Sequence, residues 1–223
     1  MSNICVIAAH PDDETLGCGG TLLKHRANGD PISWVIMTAI DEKNGWEKAK
    51  VEERRQEIQE VKQQYGFDKT FALDFPTTKL DTIPMSILIQ KMAGIIQEIK
   101  PEIIYLPNRS DIHTDHQITF QAAYSCTKNF RYPFIKRVLM YETLSETEFS
   151  PAVASDAFVP NVFIDITDNF ARKIEIMKIY GSEVMPEPFP RSLRTLEALA
   201  LFRGSMAGVR YAESFMLLKE IIQ

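Results

Sequence analysis

Two short runs hold the residue types that can do chemistry: His10, Asp12, Asp13 and Glu14 in the first, His113, Asp115 and His116 in the second. The first follows Ile4-Cys5-Val6-Ile7-Ala8-Ala9, an apolar stretch that reads as a buried strand. Adjacent carboxylates where a strand leaves a core are costly unless they bind a cation or share a proton. A catalytic zinc keeps three protein ligands and an open position, and His10, Asp13 and His116 meet that count. Asp12 is then left over, placed as a general base beside the bound water whose pKa the metal lowers. His113 is expected to face the substrate oxygen as an imidazolium, oriented by Asp115 or Asp111. Glu14 divides equally between helix capping and the site, while His25, between Lys24 and Arg26, is expected on a polar helix face away from it.

The elements that must position these residues alternate between strand-like and helical patterns, the mark of βαβ units and a parallel sheet. Strands are expected at 3–9, 32–40, 71–75, 103–107, 137–143 and 162–166, with helices at 14–27, from the 41–44 loop to Tyr65-Gly66, after Pro84, around His116 and at 168–180. Met85, Leu88, Met92, Ile95, Ile96 and Ile99 recur at helical spacing. Both polar runs then fall beyond the carboxyl ends of strands, where open α/β sheets collect ligands. The segment 183–191, with Pro186, Pro188 and Pro190, breaks the pattern and reads as a surface connection or a wall of the pocket. Gly17-Cys18-Gly19-Gly20 lacks the full G-x-G-x-x-G spacing of a dinucleotide site and lies among carboxylates that repel phosphate, so close helix packing is the expected reason for it.

Composition narrows the classes further. The 223 residues, 45% hydrophobic, suffice for one domain spanning 1–223, and a formal net charge of −5 without massed Lys or Arg excludes a nucleic-acid partner. No run suits membrane insertion and no leader-like segment opens the chain, so a cytoplasmic protein is expected. Cys5, Cys18 and Cys126 have no paired spacing and are expected as small core residues. Oligomeric state is open, a homo-oligomer included.

The motifs A-H-P-D-D-E at Ala9–Glu14, L-G-C-G-G-T at Leu16–Thr21 and H-x-D-H at His113–His116 resemble the LmbE-like, or PIG-L-type, metal-dependent de-N-acetylases. Arg54 and Glu57 match an R-x-x-E on the second helix, and Pro76–Asp81 matches a loop after the third strand. N-V-F-I-D-I at Asn161–Ile166, P-R-S-L at Pro190–Leu193, R-G-x-x-x-G at Arg203–Gly208 and A-E-S-F at Ala212–Phe215 resemble bacterial, sugar-related members. The loop Thr38–Lys43 departs from the family's acidic, glycine-containing pattern.

The resemblance implies a single-domain Rossmann-like fold, with a mostly parallel sheet flanked by helices, and a zinc centre. It also implies removal of acetyl from an N-acetylated amino sugar or its conjugate by a metal-bound water. His10, Asp13 and His116 match its metal ligands, Asp12 its base and His113 its electrophilic histidine, with Asp115 in the same catalytic motif. Zn2+ is the expected ion, with Fe2+ and other divalent metals admitted by the same donors. Arg54 falls where the family contacts substrate. Arg191 and Arg203, from the 183–223 region expected to contribute to the pocket, either hold sugar hydroxyls or a phosphate or form structural salt bridges. A non-catalytic sugar-binding or regulatory protein is the alternative, and an intact general base argues against it.

Overall fold

The computed structural model describes residues 1–222. Its seven-stranded sheet has the order β3-β2-β1-β4-β5-β7-β6. The strands are β1 (Ile4–Ala8), β2 (Ile32–Ala39), β3 (Lys69–Pro76), β4 (Ile103–Pro107), β5 (Arg137–Tyr141), β6 (Val162–Asp165) and β7 (Ala212–Glu220). The helices are α1 (Asp13–Ala27), α2 (Lys48–Tyr65), α3 (Met85–Ile99), α4 (Thr114–Ser125), α5 (Phe170–Met177) and α6 (Leu193–Ala207). Strands β1 to β5 are parallel, and only β7 runs against its neighbours β5 and β6. Among the described residues no helix is long and apolar enough to cross a membrane.

All five β1 residues are buried, as a strand covered on both faces requires. Ile4 and Val6 face a layer that includes Leu16, Leu22, Val61, Ile176 and Leu196. Cys5 and Ile7 face Leu88, Met92, Ile96, Ala122 and Ala123. Strand alternation thus builds a three-layer molecule, with α3 contributing Leu88, Met92, Ile96 and Ile99 from the helical stripe read in its sequence. Each such side chain stabilises by roughly 1.5–3 kcal/mol relative to exposure. The three cysteines are free and buried in these layers. Helix α2 stops at Gly66, whose φ of 65° is the left-handed conformation that glycine adopts without penalty.

The glycines of α1 are packing residues. A Cβ on Gly17 would lie 2.2 Å from Tyr141, and one on Gly20 would lie 2.7 Å from Ile166, so the helix rests directly on its neighbours. The C-terminal region holds two elements to which sequence periodicity assigns nothing, α6 and β7. Strand β7 has no clean alternation because its first four residues are all buried, Glu213 included. That carboxylate is neutralised from α5: Lys173 Nζ lies 2.7 Å from Glu213 Oε1 and also donates to the Leu16 carbonyl. Glu213 in turn accepts the Gly20 and Thr21 N–H groups at 2.8 and 2.7 Å, which locks β7 and α5 onto α1.

Candidate metal centre

The two polar runs meet because β1 pairs with β2 on one side and β4 on the other, so the strand order reverses between β1 and β4. The crevice beyond such a reversal is the binding position of open α/β sheets. The turn after β1 delivers His10, Asp12 and Asp13; the turn after β4 delivers Asp111, His113, Asp115 and His116. Residues 106 apart in the chain thereby come within contact, His116 Nε2 lying 3.3 Å from His10 Nδ1.

Local backbone geometry sets each side chain. His10 N–H donates to Asp13 Oδ2 at 2.8 Å, and the Asp12 carbonyl accepts the Thr15 and Leu16 N–H groups, opening α1. Asp12 has φ 132°, sparsely populated for a non-glycine residue, and its N–H is held by Glu14 Oε2 at 3.1 Å. Glu14, wholly buried, also accepts the hydroxyls of Thr15 and Tyr180. Its carboxylate therefore supports the strained turn and does not face the crevice as a free group. On the other side, His113 is the N-cap of α4, its Nδ1 accepting the Asp115 N–H at 3.0 Å.

Two carboxylates fix the histidine tautomers. Asp111 Oδ2 lies 2.8 Å from His116 Nδ1, and Asp115 Oδ2 lies 3.1 Å from His10 Nε2. With those ring nitrogens donating, His116 Nε2 and His10 Nδ1 each present a lone pair to the same space. Asp13 shares it: Oδ1 is 3.3 Å from His116 Nε2, Oδ2 is 3.8 Å from His10 Nδ1, and Oδ1 has no hydrogen-bond partner among the described residues. Acceptors facing one another with no hydrogen between them need a cation, so the donor set fits a divalent metal. His10, Asp13 and His116 form one of the possible metal-holding groups. Without the ion a proton answers the same demand. Burial acts to lower the His116 pKa, but Asp13 and Asp111 outweigh it and hold His116 well above the usual histidine value.

Several expectations change. Neither Asp111 nor Asp115 orients the His113 ring as a carboxylate partner, because each is committed to a different histidine. Asp115, expected among the catalytic groups, stands behind His10, and its two oxygens also accept the Thr78 and Leu80 N–H groups of the loop after β3. His113 is not an imidazolium: its Nδ1 is an acceptor, and burial followed by the neighbouring histidines lowers its pKa to about 4. It is a neutral ring with Nε2–H to donate. His25 is half-buried and bridges Asp30 and the Tyr105 hydroxyl at 2.8 and 2.9 Å, away from the crevice.

The arginines also hold partners that the sequence did not reveal. Arg54 donates to the Pro11 carbonyl at 2.9 Å, to Ser182 and to Glu183, and its Nε lies 3.1 Å from Glu57, which accounts for the R-x-x-E spacing. Arg191 bonds Asp12 Oδ2 and Glu183 through Nη1, both at 2.8 Å, Ser145 through Nε and Glu146 through Nη2. Burial pushes the Asp12 carboxyl up to about 8, opposed by Arg191. Arg203 lies instead in a two-pronged pair with Glu142 at 2.7 and 2.8 Å, and the structure does not bring it to the histidine cluster. Glu146 and Glu183 converge on Arg191 beside Asp12; the sequence reading singled out the 183–191 segment as a whole but named neither carboxylate as a site residue.

A Rossmann-like α/β fold with a cage of two histidines and one aspartate at its topological switch point defines the class. Residues 5–127 match the family model described as PIG-L, the GlcNAc-PI de-N-acetylase, and the chain belongs to that family. The diacetylchitobiose deacetylase of Thermococcus kodakarensis is 25% identical over 96% of this chain and 82% of its own. The uncharacterised deacetylase YaiS of Escherichia coli K12 is 29% identical over 80% and 90%. The crystal structure of the conserved protein TT1542 from Thermus thermophilus superposes with a TM-score of 0.79 at 25% identity, covering all of this chain and 97% of the other.

Proposed function

We propose that the protein is a metal-dependent hydrolase that removes the acetyl group from an N-acetylated amino sugar or its conjugate, with His10, Asp13 and His116 as ligands. The observation that carries this is the convergence of His10 Nδ1, His116 Nε2 and the orphaned Asp13 Oδ1 on one point. A divalent cation held there, Zn2+ in our reading, would supply Lewis acidity toward water and the amide carbonyl, and its charge would favour the ionised form of Asp12. Asp12 takes the proton of the attacking water and returns it to the departing amine, and Arg191 holds the carboxylate oxygen that is not needed for that transfer. His113 donates Nε2–H to the developing oxyanion, which a neutral ring does without competing charge beside the cation.

The chain is read as one domain in which 183–223 supplies a wall of the pocket, since Glu183 and Arg191 reach the site from that region. The relatives' names support the acetamido substrate. Chelation followed by reconstitution tests the reading: acetate release from N,N'-diacetylchitobiose should vanish on chelation and return with Zn2+ or Fe2+. Release that survives complete metal removal contradicts it.

A further inference from the structure

We infer that the substrate this site takes is uncharged, an N-acetylhexosamine or its neutral glycoside, and that sugar phosphates, nucleotide sugars and carboxylate-bearing conjugates are disfavoured. The inference rests on the deacetylase reading and deepens it. Recognition of an anion needs a cation with donors to spare, and the arginines nearest the reacting carboxylate keep few, one Nη1 N–H on Arg54 and one Nη2 N–H on Arg191 lying outside their protein contacts. Every guanidinium nitrogen of Arg54 and Arg191 already holds a protein partner: Pro11, Ser182, Glu183 and Glu57 for the first, Asp12, Glu183, Ser145 and Glu146 for the second.

The charge balance points the same way. Two guanidinium groups face four carboxyl groups, those of Asp12, Glu57, Glu146 and Glu183, so acidic groups outnumber basic ones along this wall and each cation is shared among several of them. Behind the ligands, Asp111 and Asp115 add two more beside Asp13, enough to offset a divalent ion. Lys43, Lys79 and Arg109 lie on neighbouring loops but are exposed, where solvent and salt screen them. Arg203, the remaining candidate for a phosphate, is occupied by Glu142. The wall side chains that meet solvent, Arg54, Arg191, Glu146 and Glu183, form a surface of paired charges that donates to and accepts from hydroxyls without attracting an anion.

The test uses the zinc-loaded protein and compares N,N'-diacetylchitobiose with N-acetylglucosamine 1-phosphate and UDP-N-acetylglucosamine, reading both acetate release and calorimetric binding. Neutral sugar should exceed either anion in kcat/KM by about tenfold or more, because like charge at a desolvated site is strongly disfavoured. Added salt should raise turnover of the anions by screening repulsion and leave the neutral sugar unchanged. Glu183→Gln and Glu146→Gln should each narrow the ratio between the two classes. Anions turned over as well as the neutral sugar, or losing activity as salt rises, would overturn the inference. If no sugar releases acetate, the deacetylase reading fails, and the binding measurements still decide the charge preference by the same criteria.

Discussion

At the scale of single residues, the site is an arrangement of protons as much as of atoms. Asp111 and Asp115 each take one histidine N–H and so turn the opposite nitrogen toward the space shared with Asp13. Asp111 is held for this by Asn108 and Thr147, which donate to its other oxygen at 2.9 and 2.7 Å. Asp111→Asn should therefore weaken zinc binding by about 10–100-fold while the chain remains folded, as measured by competition with a chromophoric chelator. Unchanged affinity would show that the His116 tautomer is set otherwise. The convergence of His10, Asp13 and His116 was legible in the sequence because each run is local and chemically improbable by chance. Which carboxylate serves which histidine was not, since it depends on a side-chain direction fixed only when β1 and β4 are paired. The imidazolium expected at His113 failed for the same reason: the donor to its Nδ1 is a backbone N–H of the helix that it caps.

At the scale of elements, α1 opens on Asp13 of the cage and is packed too closely to tolerate change. Alanine favours helix over glycine by about 1 kcal/mol, yet a Cβ at Gly20 would stand 2.7 Å from Ile166, and overpacking costs about 1–3 kcal/mol. Gly20→Ala should lower the Tm, and a raised Tm would show that the α1 contact gives way freely. The Lys173–Glu213 pair gives a larger effect. Lys173→Met leaves a buried carboxylate against the α1 backbone without its cation, a loss of about 3–5 kcal/mol in urea unfolding, and an unchanged midpoint would mean that the pair is dispensable. These couplings explain why periodicity located the first six strands but left α6 and β7 unassigned. Helix α6 exposes Leu201 and Phe202 while burying Leu196 and Ala200, so apolar residues surround it and no stripe stands out. Strand β7 places a charge inside the core, where a pattern reading expects none.

For the whole molecule, the parallel core was legible in the alternation of elements, whereas the position of β7 between β5 and β6 was not, because strand order is decided by long-range packing. Burial within this molecule also sets its alkaline limit. Desolvation raises the hydroxyls of Tyr65, Tyr105, Tyr141 and Tyr180 well above the ordinary tyrosine value. A folded pKa above the unfolded one of about 10 contributes stability that is full below that pH and lost as pH rises through the folded value. These tyrosines should ionise only as circular dichroism is lost, and tyrosinate from them in the folded state would contradict the packing described.

The central claim is that one metal ion and one unliganded carboxylate divide the work at the switch point. The most direct measurement is metal content and acetate release on the same zinc-loaded preparations of the native chain and Asp12→Ala. About one zinc per chain is expected in both, with turnover in the variant reduced by about 10²–10⁴-fold. Full turnover without Asp12, or loss of the metal together with the activity, would contradict it.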